Sequence, residues 1–208
     1  MPRRPDFNGR TLREACLDEA VAIIAESGIE SLSLRDVARR LGVSHQAPYK
    51  HFPSRDHLLA EVVRSAFDTF AAHLDARPRG ATAEADLAAL GQAYLAYALA
   101  HPLAYRLMFG TRLPDVAAHP AMLHSARHAF ALLREALGRM RAEQGARPEP
   151  GAMELDALFI WTSLHGLASA LQTSAMATLA LPPAVLAATL SHTLQRIGAA
   201  LTAPVPQA

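Results

Sequence analysis

Apolar residues recur at three- and four-residue spacing along almost the whole chain, and no stretch alternates apolar with polar residues between turn residues. That period belongs to helices that bury one face, so the sequence predicts an all-α protein. Proline and glycine then divide the chain. The expected helices are Thr11–Ser27, a second starting at Ser33, His45–His51, Arg55–Ala76, Ala83–Ala100, Pro102–Phe109, Pro120–Gln144, Ala152–Ala180 and Pro183–Leu201. Pro102, Pro120 and Pro183 sit at helix starts, where a missing N–H is least costly. A three-helix head over residues 10–54 is expected to join, through a long helix, a helical-bundle body over residues 55–202. The ends, 1–9 and 203–208, are expected to be flexible, and the loop at 145–151 mobile.

The segment Ser33–Phe52 carries the most specific signal. Ser33 is an N-cap, and Ser33-x-x-Asp36 is close to a capping box. Leu34, Val37, Ala38 and Leu41 share one helical face. Gly42 suits the left-handed residue after a helix end, and Val43 is expected to be a buried staple. Ser44 can cap the next helix. Arg35, Arg39, Arg40 and Lys50 make this segment locally basic in a chain of 208 residues whose formal net charge is only +1. Two short helices joined by a glycine turn, the second presenting polar and basic groups at its start, meet the requirements of a helix-turn-helix. A helical hairpin inside a generic core is the plainer reading of the same residues.

At Ala38-Arg39-Arg40-Leu41-Gly42-Val43-Ser44 and Tyr49-Lys50-His51-Phe52, followed by Pro53-Ser54-Arg55, the sequence resembles the TetR-type (tetracycline-repressor-like) family. The resemblance covers about residues 10 to 70. It implies a transcriptional regulator, most often a repressor, that binds a palindromic DNA operator as a homodimer and is released by a small molecule. Among the DNA-facing candidates, Gln46 can pair with adenine and His45 with guanine or phosphate. Tyr49, Lys50 and Arg55 match positions where the family reaches phosphates, while Ser44 and the helix start offer N–H groups to another. Arg35 and His51 complete the set. Pro48 departs from the small or aliphatic residue usual there. In the first turn it removes at most one helical bond, but it can tilt the recognition helix.

The body also resembles the WHG-type branch, through Tyr105-Arg106-Leu107-Met108-Phe109-Gly110 and Trp161-x-x-x-His165-Gly166. Its aromatic and methionine residues with a few polar tips suit a small, largely apolar effector. The candidates are Tyr94, Tyr97, Tyr105, Met108, Phe109, Phe130, Trp161 and His165, although such stripes also make ordinary core. His165 is either a polar anchor or a satisfied core histidine. The last two helices are apolar on more than one face, so Leu164, Leu171, Leu186, Leu190, Leu194 and Ile197 are candidates for a dimer interface. Burial within the same chain is the alternative.

Other classes find little support. No P-loop, Gly-x-Gly-x-x-Gly or Gly-x-Ser-x-Gly occurs, and His124-x-x-x-His128 lacks the glutamate of a metalloprotease helix. No catalytic residue, metal or cofactor is therefore expected. The single cysteine, Cys16, cannot form an internal disulfide and fits a reducing cytoplasm. Neither an uninterrupted apolar run of spanning length nor a signal-peptide core is present, so neither a membrane span nor secretion is expected. A helical interaction module without DNA affinity remains the competing reading.

Overall fold

The computed structural model describes residues 7, 9–110, 112–145 and 150–202. The expected flexible ends fall largely outside these residues, as does most of the loop at 145–151. Among the described residues the structure is helical, without strands. Nine α-helices are present: α1 (Leu12–Ser27), α2 (Leu34–Arg40), α3 (Arg55–Asp75), α4 (Ala83–Ala100), α5 (Pro102–Phe109), α6 (Pro120–Glu143), α7 (Ala152–Leu171), α8 (Ala175–Thr178) and α9 (Pro183–Thr202). Single 3₁₀ turns occur at Ile29–Ser31 and Pro48–Lys50.

These nine are not the nine that periodicity predicts. The expected helix His45–His51 is a turn followed by the 3₁₀ turn Pro48–Lys50. Proline is the reason: without an N–H, Pro48 cannot donate to the carbonyl of Ser44. Three-residue bonds take over, from Ala47 N to Ser44 O (2.9 Å), Lys50 N to Ala47 O (3.3 Å) and His51 N to Pro48 O (3.0 Å).

The expected helix Ala152–Ala180 ends at Leu171. Backbone and side chain share its last carbonyls: Gln172 N (3.3 Å) and Nε2 (3.2 Å) donate to Ala168 O, and Thr173 N (3.1 Å) and Oγ1 (2.8 Å) to Ala170 O.

Caps set the other boundaries. Thr11 and Glu14 form a full capping box at α1, with Thr11 N donating to the Glu14 carboxylate (2.8 Å) and Glu14 N to Thr11 Oγ1 (3.2 Å). Ser33 accepts from Asp36 N (3.1 Å), and its hydroxyl donates to the Asp36 carboxylate (2.9 Å), so half of that box is replaced by a side-chain pair. At the end of α2, Gly42 N donates to Arg39 O (3.2 Å) and Val43 N to Ala38 O (3.0 Å), a Schellman motif. Gly42 has φ +66°, which explains the glycine. Gly42→Ala is expected to lower stability by about 1–2 kcal/mol, the strain of a side chain in the left-handed region. Urea denaturation at neutral pH checks this, and an unchanged midpoint would contradict the cap. Val43 is only half-buried rather than a buried staple.

The chain forms two compact units. The first comprises residues 1–68 and 106–126; the second comprises residues 69–105 and 127–208. In the first, Cys16, Ala20, Ile23 and Ile24 of α1 are buried, as are Val37 and Ala38 of α2, Phe52, and Leu58 and Val63 of α3. Burial pushes the Cys16 thiol up to about 11, so it is protonated packing rather than a nucleophile.

In the second unit α4, α7 and α9 pack together. Gly91 makes the approach possible, since a Cβ there would come within 2.6 Å of Leu194 Cδ2 and 3.4 Å of Leu164 Cδ1.

Candidate nucleic-acid interface

The segment after Gly42 separates into inward and outward residues. Pro48 and Phe52 are buried, whereas Ser44, His45, Gln46, Tyr49, Lys50 and His51 are exposed. Pro48 therefore acts twice: it sets the 3₁₀ geometry and it fills the space beneath the turn. The polar side chains are left on the surface.

The basic residues of this region are not equivalent. Arg39 donates to the Asp36 carboxylate (2.8 Å), which, with the Ser33 hydroxyl, holds that carboxyl below the usual range. Arg40 turns back to α1 and pairs with Glu19 (3.2 Å) and Glu26 (2.7 Å). Arg55 points its guanidinium at the backbone, with Nε donating to Leu32 O (3.1 Å) and Nη2 to Ile29 O (2.7 Å). Among the described residues Arg35 and Lys50 are exposed and have no ion pair.

Sequence reading missed a brace behind the segment. The Arg13 guanidinium lies over the Phe52 ring, 5.5 Å from its centroid, and ion-pairs with Glu61 of α3. Glu61 also receives Arg64 (3.1 Å), which reaches Asp68 (2.7 Å). Burial raises the Glu61 pKa, but the arginine hydrogen bonds outweigh it and the net shift is downward. Arg13 lies 39 positions before Phe52, so helical spacing holds no signal for this contact.

In the second unit a polar relay crosses an aromatic cluster. The Tyr94 and Tyr105 hydroxyls are 2.8 Å apart, Tyr105 Oη is 2.6 Å from His165 Nδ1, and Ser169 Oγ is 3.5 Å from His165 Nε2. The His165 ring stacks between Tyr105 (27°) and Trp161 (28°). Burial lowers the His165 pKa and raises those of both tyrosines, so the relay is uncharged at neutral pH. Nδ1 is then assigned as the acceptor of the Tyr105 hydroxyl.

Of the expected ligand residues, Tyr94, Tyr105, Trp161 and His165 meet here. Tyr97 is buried among His73 (5.3 Å), His101 (4.6 Å) and Phe70 (5.1 Å), and it touches the relay only through Phe70, whose ring also meets Tyr94 (5.4 Å) among the described residues. Met108 and Phe109 belong to the first unit, where Phe109 meets Phe67 edge-on at 5.7 Å.

Two family models account for most of the chain. Residues 17–62 match "Bacterial regulatory proteins, tetR family", and residues 87–196 match "Tetracyclin repressor-like, C-terminal domain". The chain belongs to the tetR family. That family is one of helix-turn-helix transcriptional regulators rather than enzymes.

The HTH-type transcriptional regulator Mb1846 of Mycobacterium bovis is 30% identical over 100 residues, 47% of this chain and 43% of that protein. The HTH-type transcriptional repressor KstR of Mycolicibacterium smegmatis is 35% identical over 66 residues, 32% of each chain. The chain thus spans less than half the length of the curated relatives it matches. A solved structure from Rhodococcus sp. RHA1, of a protein with unknown function, is 27% identical with TM-score 0.74, covering 96% of this chain and 97% of that one.

The residues expected at a tetR-family dimer interface are unevenly exposed. Leu164 and Ile197 are buried within the chain, and Leu171, Leu190 and Leu194 are half-buried; Leu186 is exposed. Leu164 and Leu194 are taken up by the contact with Gly91. Periodicity could not show this, because a helix apolar on two faces does not say which face its own chain covers. Among the described residues no three His, Cys, Asp or Glu side chains converge as a metal site, and no helix is long and apolar enough to cross a membrane.

Proposed function

We propose that this regulator is an effector-responsive repressor that acts in the cytoplasm and binds a palindromic operator as a homodimer. The observation that carries the DNA reading is the outward set Ser44, His45, Gln46, Tyr49, Lys50 and His51 above buried Pro48 and Phe52. Gln46 and His45 read base edges, and Tyr49, Lys50 and Arg35 meet the backbone. Effector binding in the body shifts the population toward a state whose two heads no longer fit successive major grooves.

The effector is small and largely apolar, with a polar group facing the Tyr94–Tyr105–His165 relay. The relay also joins the two pieces of the WHG-type pattern, Tyr105 and Trp161-x-x-x-His165, which supports that branch. FadR of Bacillus subtilis, 19% identical with TM-score 0.65, was solved in complex with stearoyl-CoA, so this fold can hold a ligand with a long apolar part.

The dimer reading rests on α7 and α9. Leu155, Leu158 and Phe159 are 69%, 46% and 44% exposed, and Val185 and Leu186 of α9 are exposed as well. On the same stretch of α7 nothing lies within 4 Å of a Cβ built at Gly166, which leaves room for a neighbouring helix. Large exposed apolar residues grouped on two helices mark an interaction surface. Sedimentation equilibrium is expected to give a dimer for the wild type and a folded monomer for Phe159→Asp. Footprinting with the wild type is expected to protect two half-sites related by a dyad, which the variant protects weakly. A wild-type monomer on DNA, or a dimeric Phe159→Asp protein, would overturn this face.

A further inference from the structure

We propose that Arg55 is a positioning residue of the DNA reader and not one of its phosphate contacts. The proposal rests on the DNA-binding role of the helix-turn-helix. Arg55 opens α3 three residues after Phe52, so it stands just past the end of the recognition segment. The carbonyls it holds, those of Ile29 and Leu32, stand just before Ser33, the N-cap of α2. One guanidinium therefore ties the entrance of the helix-turn-helix to its exit.

The geometry uses what arginine alone provides. Nε and Nη2 are rigidly spaced donors, here set on two carbonyls of one 3₁₀ turn at 3.1 and 2.7 Å. An ammonium has no second donor at that fixed spacing. The surroundings also disfavour a phosphate. Glu30 lies 3.8 Å from Nη2 and Asp56 lies 3.7 Å from Nη1, so two carboxylates already face this cation. Lys50 and Arg35, exposed and without an ion pair among the described residues, have no such competition.

The two roles differ in what they do to sequence preference. A phosphate contact strengthens binding to every duplex alike, and losing it flattens the salt dependence by about 0.9 in log K against log[salt]. A clamp acts on how the recognition segment is presented, so its loss falls on the preferred site.

The test uses full-length protein and two fluorescein-labelled duplexes. One is recovered by the wild type from a randomised pool, and the other is its scrambled counterpart. Arg55→Ala and Arg55→Lys are each titrated at several salt concentrations, with circular dichroism as the folding control. Both variants are expected to lose at least about tenfold in preference for the selected duplex over the scrambled one, the scale of a single charge-assisted hydrogen bond. Affinity for the scrambled duplex and its salt slope should stay as in the wild type. Arg55→Lys binding like the wild type would overturn the proposal. So would an Arg55→Ala protein that weakens on both duplexes alike with a slope flatter by about 0.9. If Arg55→Ala fails to fold, the charge-retaining Arg55→Lys decides alone.

Discussion

Asp86→Asn is expected to lower the unfolding free energy by about 3–5 kcal/mol, the usual consequence of removing one partner of a buried ion pair. Asp86 and Arg77 are both buried, and Arg77 Nη2 donates to the Asp86 carboxylate at 2.9 Å. Arg139 of α6 reaches the same oxygen at 2.6 Å and Arg79 at 3.4 Å, while Gly80 N points at the other at 3.4 Å. One carboxylate thus joins the α3–α4 connection, the first turn of α4 and α6. Arg79 is 59% exposed and contributes little of the total. The loss comes from leaving the Arg77 cation buried without its counter-charge.

The same residue fixes a pH signature. Burial pushes the Asp86 pKa up, but the Arg139 hydrogen bond and the Arg77 charge outweigh it, so the net shift is downward. A carboxyl with a depressed folded pKa stabilises fully above its unfolded pKa of about 4, and loses that contribution as pH falls through the folded value. Urea denaturation should show a wild-type advantage over Asp86→Asn that is constant near neutrality and shrinks below about pH 4. An equal midpoint at pH 7, or a gap that widens on acidification, would contradict the clasp.

The second large effect is expected at Phe52. Its ring is 1% exposed, its N–H donates to Pro48 O (2.9 Å), and Arg13 lies over its face. Phe52→Ala should cost about 3–5 kcal/mol in lost burial and cavity together. Because Phe52 supports the recognition segment from below, selective DNA binding should vanish in protein that remains folded, as judged by circular dichroism. Retained preference for the selected duplex would show that this ring does not set the geometry of the reader.

The parts of the fold written in local chemistry were legible. Gly28 and Gly42 both adopt positive φ where α1 and α2 end, and Pro102, Pro120 and Pro183 each begin a helix. The buried positions Leu34, Val37 and Ala38 of α2 followed from spacing.

What was not legible depended on choices between nearly equal local states. Spacing predicts an α-helix over His45–His51, tilted at Pro48, whereas the structure has a 3₁₀ turn there with the proline ring buried. The end of α7 carries neither glycine nor proline; there Thr173 N turns to a three-residue bond with Ala170 O, and the Gln172 and Thr173 side chains bond the same carbonyls as their own N–H groups. At the candidate site, spacing identified the polar residues between Ser44 and His51. It could not separate Arg55 from them, since its partners are backbone carbonyls 23 and 26 residues away. Nor could it see that Tyr97 packs against His73 and His101 and meets Tyr94 only through the Phe70 ring.

Sequence-selective DNA binding by the full-length protein is the central claim. The most direct measurement is fluorescence anisotropy of the selected duplex and its scrambled counterpart at moderate salt. At least a thousandfold preference for the selected duplex is expected, the lower end for specific regulators, with affinity that falls linearly in log K against log[salt]. Equal affinity for the two duplexes would contradict it.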